Sequence, residues 1–170
     1  MRPRRVSACL ILLLAAFGAW EAEARAPITL IPHGGLAFGT HNFPDQTRAG
    51  IDVRYPVWPT ADLGLNLETG FRHGRLFSAT PTFVHIVGWP RIGALRTAVY
   101  GGFPLVYYSQ AGTSDLLYGV SAGVELHYPL ARVGRGNLDL VARGGAEILL
   151  FGTSKTAIPV IVSLGMAVRL

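Results

Sequence analysis

Thiols are almost absent from this chain: one cysteine, Cys9, stands alone in 170 residues, so neither a disulfide framework nor a thiolate metal site is available. Charge is sparse as well, 15% of residues against 50% hydrophobic, which excludes a disordered polyelectrolyte. Yet no run of about 18 apolar residues occurs, so a membrane-spanning helix is excluded too. The 21 glycines show no triplet period, which removes collagen. A mean hydropathy of +0.37 must therefore be spread through the chain by alternation and not by runs.

The first residues read as a leader. Three arginines between Met1 and Arg5 precede an apolar stretch from Ala8 to Trp20, and Ala22-Glu23-Ala24 offers the small residues a signal peptidase needs. Cleavage after Ala24 avoids placing Pro27 directly behind the scissile bond and leaves residues 25–170, 170 − 24 = 146 in all. Cys9 stands at the start of the apolar stretch, whereas a lipidated cysteine follows it, so Cys9 reads as an ordinary leader residue. Losing Arg2, Arg4, Arg5, Glu21 and Glu23 lowers the net charge from +5 to 5 − 3 + 2 = +4, too mild to imply a nucleic-acid partner for an exported protein.

Period two runs through the rest. Val160, Val162, Leu164, Met166, Val168 and Leu170 share one parity, and Ser163, Gly165, Ala167 and Arg169 fall on the other. The same division holds in Gly119–Tyr128, in Leu138–Leu150, in Leu63–Arg72 and in Ile51–Tyr55. Weaker alternation covers Ile28–Gly39, Pro81–Gly88 and Ala94–Tyr107, which brings the expected strands to eight. Tyr55-Pro56, Trp89-Pro90 and Tyr128-Pro129 recur at the ends of even-numbered strands, where a residue without an N–H is expected to stop the ladder. The fold expected is all-β: an eight-stranded antiparallel up-and-down transmembrane barrel.

Which parity points inward decides the solvent outside. With the polar parity inside, the lumen gathers Asp52, Glu68, Glu125, Asp139 and Glu147 against Arg54, Arg72, Arg96, Arg143 and Arg169, five acids to five bases. Such a balance suits a narrow lumen, because an unpaired buried ion costs about 3 to 5 kcal/mol. The apolar parity then faces lipid, and Tyr55, Trp58, Trp89 and Tyr128 form an interfacial girdle at one end. Phe38, Phe71, Tyr107, Tyr118 and Phe151 lie near the other. The reverse assignment is a soluble lipocalin-like or avidin-like barrel, which leaves the aromatic-proline ends unexplained.

This pattern resembles the small outer-membrane β-barrel superfamily of the OmpA transmembrane domain and OmpX. The resemblance implies a Gram-negative outer-membrane location, periplasmic termini, contact with outer-membrane lipid and lipopolysaccharide, insertion by the barrel-assembly machinery, and a monomer. Members usually end in an aromatic residue; this chain ends in Leu170. External loops are expected at 40–47, 73–80, 109–115 and 152–156, too short for much adhesion or receptor binding.

Chemistry has little to stand on. His41, Asp45, His73, Ser78, Ser109, Ser114 and Asp115 are expected at the outer rim, where a base, a carboxylate and a hydroxyl would meet in a lipid A-modifying enzyme. No histidine is followed two places on by serine, the deacylase pattern, and the reading is non-enzymatic. His85, Tyr100, Glu125 and His127 on the inward parity offer the alternative, a narrow pore or transporter. No histidine pair at metal-ligand spacing and no phosphate loop occurs, so no metal or cofactor is expected. The preferred reading is a structural or interaction barrel with a plugged polar lumen, with Arg72, Arg75 and Lys155 near lipid phosphates.

Overall fold

A computed structural model describes residues 28–39, 43–133, 136–151 and 155–170; of 88–92, 133, 151 and 155 it describes the backbone alone. The expected leader, residues 1–24, and His41 lie outside the described residues.

Ten strand segments occur among the described residues: β1 (Thr29–Phe38), β2 (Gln46–Trp58), β3 (Ala61–Phe71), β4 (Arg75–Ile92), β5 (Leu95–Gly102), β6 (Leu105–Gln110), β7 (Thr113–Val133), β8 (Gly136–Phe151), β9 (Lys155–Ala157) and β10 (Val160–Arg169). β5 and β6 are one strand broken at Phe103-Pro104, and β9 and β10 one strand broken at Ile158-Pro159. Proline has no N–H to give the ladder and restricts the residue before it. The ladder reconnects around both breaks through Gly119 N–H to Pro104 O (3.1 Å) and Glu147 N–H to Pro159 O (3.0 Å). The ring thus has eight strands, every neighbour is antiparallel, and β1 closes it by pairing with both β2 and β10.

Registered partners run from His127 through Val141, Gly165, His33, Gly50, Glu68, Ser78 and Val106 back to β7 at Leu117. The offset, 127 − 117 = 10 residues, is the shear of the barrel. Eight strands with this shear tilt by about 40° and enclose a lumen that side chains can fill.

The three aromatic-proline pairs do not end their strands, contrary to the expectation. β2 continues to Trp58, β4 to Ile92 and β7 to Val133, and each carries a register shift at or beside its proline. A missing N–H is absorbed by a bulge more cheaply than by abandoning the remaining bonds. Two of the connections expected to be external are shorter than expected because the strands run on: Arg75–Thr80 belongs to β4, and 109–115 contracts to Ala111-Gly112. Both residues of that two-residue hairpin have positive φ, 50° and 84°, as a type I′ turn demands.

The faces follow the parity. Leu164 is 60% exposed and its neighbour Ser163 is 6% exposed. Leu63, Leu65, Val99, Val124, Leu126, Val160, Val162 and Met166 are likewise exposed on the outer wall. No helix among the described residues is long and apolar enough to cross a membrane, which does not bear on crossing by strands.

Candidate functional site in the barrel lumen

The lumen is layered from the end that holds Ile28 and Leu170, the terminal end below, to the far end. At the terminal mouth, Arg96 donates to Asp139 (2.5 Å) across from β5 to β8. A cavity of about 40 Å³ opens there, lined by Arg54, Asp62, Arg96, His127, Asp139 and Arg169 among others.

The next tier is a closed ionic quartet. Arg54 reaches Asp52 through Nε (2.9 Å) and Nη2 (2.6 Å), and Glu125 through Nη1 (2.8 Å) and Nη2 (2.6 Å). Arg143 donates from Nε to Glu125 (2.8 Å) and from Nη2 to Asp52 (2.6 Å). Two guanidiniums thus share two carboxylates from β2, β7 and β8, and planar forks suit this bidentate work. His127 Nε2 adds a contact to Glu125 at 3.1 Å. Arg143 also stacks on Tyr100, its Cζ 5.1 Å from the ring centre. The tyrosine fits because residues 123 and 145 are glycines: a Cβ on either would sit 2.6 or 2.2 Å from the Tyr100 hydroxyl.

A third tier lies further in. Arg48 donates to Glu68 and to Glu147, each at 3.1 Å, and Asn66 Nδ2 donates to Glu68 (3.1 Å). His33 Nε2 donates to Asn66 Oδ1 at 2.9 Å. Above this tier the interior turns apolar: Phe43, Leu76, Val106, Tyr108, Leu117, Leu149 and Ala157 pack into one buried cluster at the far end. Phe43 and Tyr108 face each other with ring centres 5.4 Å apart, and the Tyr108 hydroxyl donates to the His73 carbonyl (2.5 Å).

Of the ten charges expected inside, Asp52, Arg54, Glu68, Glu125, Asp139, Arg143 and Glu147 are buried. Arg96 points inward at the mouth but keeps 44% of its side chain exposed, and Arg169 is exposed beside it. Arg72 is the correction: it is exposed with φ of 113° in the turn after β3, because the strand ends one residue before it. Arg48 takes the place expected for such a base and is 2% exposed. Its signal was present, since Asp52 and Arg54 share its parity. β2 was expected to start at Ile51 because the outward Thr47 and Ala49 are not oily.

Tyr55, Trp58 and Tyr128 are exposed on the outer wall near the terminal end, and Trp58 meets Phe83 edge-on at 6.4 Å. The side chains of Trp89 and Phe151 lie outside the described residues, while Phe38, Phe71, Tyr107 and Tyr118 are exposed toward the far end.

His85 corrects the pore expectation: it is exposed on the outward parity of β4, leaving Tyr100, Glu125 and His127 inside. The rim constellation does not assemble either. Ser78 is fully buried inside the barrel, Ser109 and Ser114 face each other across the β6–β7 hairpin, and the Asp45 carboxylate accepts the Gly39 N–H (2.9 Å). No group of three His, Cys, Asp or Glu able to hold a metal ion occurs among the described residues.

No protein-family model and no curated protein matches the chain in sequence. In three dimensions it is similar to the N-terminal β-barrel domain of Pseudomonas aeruginosa OprF, with a TM-score of 0.61 and 14% identity over 85% of this chain and 99% of that one. Neisserial surface protein A, NspA, gives a TM-score of 0.61 at 11% identity over 88% of this chain and 100% of that one. At such identities the likeness is one of fold, that of the small outer-membrane β-barrels.

Proposed function

We propose that the chain is an exported integral barrel of a Gram-negative outer membrane, non-enzymatic and monomeric, with a structural or interaction role and a plugged lumen. One observation carries the plug: two ionic tiers lie beneath the apolar cluster of Phe43, Leu76, Val106, Tyr108, Leu117 and Leu149. Ions entering at the terminal mouth meet matched charges first and then a dry cap. The oily outer wall and its aromatic ends support immersion in lipid. Short connections leave little surface for a receptor, so the partner of this reading is the membrane itself. Exposed Arg72 and Arg75 at the far rim suit lipopolysaccharide phosphates, and Lys155, whose side chain lies outside the described residues, belongs to the same end. Insertion falls to the barrel-assembly machinery, as for any barrel of this kind.

Planar-bilayer recording of pure refolded protein tests the plug: wild type gives no stable unitary conductance. Reproducible porin-like steps overturn it in favour of a narrow pore. Membrane fractionation with a heat-modifiable band on gels tests the location, and recovery from the periplasm as a water-soluble species overturns that.

A further inference from the structure

The third tier sets two carboxylates against one guanidinium. Asp52 and Glu125 balance Arg54 and Arg143 in the second tier, and Asp139 is matched by Arg96 at the mouth. Glu68 and Glu147, however, share the single guanidinium of Arg48. His33 stands 3.8 Å from Glu68, but its Nε2–H is committed to Asn66 and its Nδ1 is buried with no partner.

Beside these two carboxylates lies a cavity of about 20 Å³ whose lining includes Glu68, Thr82, Tyr100, Ser121, Arg143 and Glu147. Its volume is that of one water molecule or one small dehydrated ion. Two of its hydroxyls, Thr82 Oγ1 and Ser121 Oγ, are buried and have no hydrogen-bond partner, on residues 7% and 9% exposed. Register explains the gap: Thr82, Gly102, Ser121 and Glu147 are successive neighbours around the wall, and the missing Cβ of Gly102 would lie 3.0 Å from Ser121 Oγ.

We propose that this cavity binds one monovalent cation of the size of sodium or potassium, held by the carboxylates of Glu68 and Glu147 and the hydroxyls of Thr82 and Ser121. Hard oxygen donors and two carboxylates that already share one guanidinium select an alkali ion over a divalent one, which asks for more carboxylates. Arg143 also borders the cavity, but its guanidinium is committed to Asp52, Glu125 and the Tyr100 face. The site rests on the lumen geometry and not on where the barrel resides.

The test compares thermal unfolding of the refolded, micelle-bound protein in potassium, sodium and choline chloride at equal ionic strength. Choline is too large for the cavity. The expected result is a saturable rise of the midpoint with the alkali ion that choline does not reproduce. Thr82→Val and Ser121→Ala are expected to abolish that rise while keeping the choline midpoint. Rubidium or thallium in crystals gives an anomalous peak between Glu68 and Ser121 if the ion is there. Equal midpoints in all three salts mean that the cavity holds water and overturn the proposal. Cation dependence that survives both substitutions overturns it too, by placing the ion elsewhere.

Discussion

The two ends of the lumen are filled by different chemistry behind the same oily wall. In the terminal half the interior is mainly ionic, with the small apolar cluster of Ile31, Val141 and Ala167 beside the charges; at the far end Leu76, Val106, Leu117 and Leu149 fill the inside. A strand immersed in lipid gains nothing from burying apolar groups inward, because its outer face is already among hydrocarbon, so the interior is free to be polar. The change inside is not mirrored outside: at the level of the cap Phe77, Tyr107, Leu116, Tyr118 and Ile148 still line the outer wall, so the cap is apolar on both faces of the sheet. One chain therefore changes the chemistry of its interior along the length of a single strand. In β8, buried Arg143 and Glu147 are followed two residues later by buried Leu149.

Stability experiments break this contrast in order of expected size. Glu125→Ala removes an acceptor shared by Arg54, Arg143 and His127 and is expected to cost about 3 to 5 kcal/mol, since it leaves buried guanidinium uncompensated. Urea titration of the barrel in lipid vesicles measures it, with Asp45→Ala as a loop control expected to lose no more than about 1 kcal/mol with its exposed hydrogen bond to the Gly39 N–H. A loss no larger than the control would mean that the ionic half is ornamental.

Leu164→Arg comes next, at about 2 to 4 kcal/mol for a guanidinium facing mid-bilayer. Ser163→Arg, one residue away and inward, is expected to be the milder change in folding yield in vesicles, and a reversed ranking would reverse the two faces. Leu149→Ala in the cap is expected to cost about 2 kcal/mol, the low end for such truncations, because the far end can relax around the hole. It is also the change expected to admit conductance in bilayers, whereas Glu125→Ala leaves the cap intact and the lumen closed. The smallest effect is a gain: Ala111→Asn relieves a left-handed backbone that alanine tolerates badly, raising stability by less than about 1 kcal/mol in the same titration.

Much of this was legible because period two is a local property. The outward rows at 160–168, at 120–128 and at 138–150 came straight from alternation, and the strand number came with them. The ends were not legible. At Tyr55-Pro56 and Tyr128-Pro129 a proline reads as a stop, yet whether it stops a strand depends on the hydrogen bonds still to be gained beyond it, which belong to the neighbour. The cap was missed for a related reason. Leu76, Val106 and Leu117 lie on the inward parity beside exposed apolar Phe77, Tyr107 and Leu116, so alternation is silent there.

Alternation by itself determined the strands, which of their faces is oily and most of the charges that turn inward, Arg72 and Arg48 excepted, because a strand puts every second side chain on the same side whatever surrounds it. Only the tertiary structure decided the partners. A shear of 10 residues brings Arg54 of β2 to Glu125 of β7, 71 positions away, and sets Arg48 between Glu68 and Glu147. Those distances exist only once the ring has closed, since pairing across a lumen is a property of the circumference and not of any strand in it.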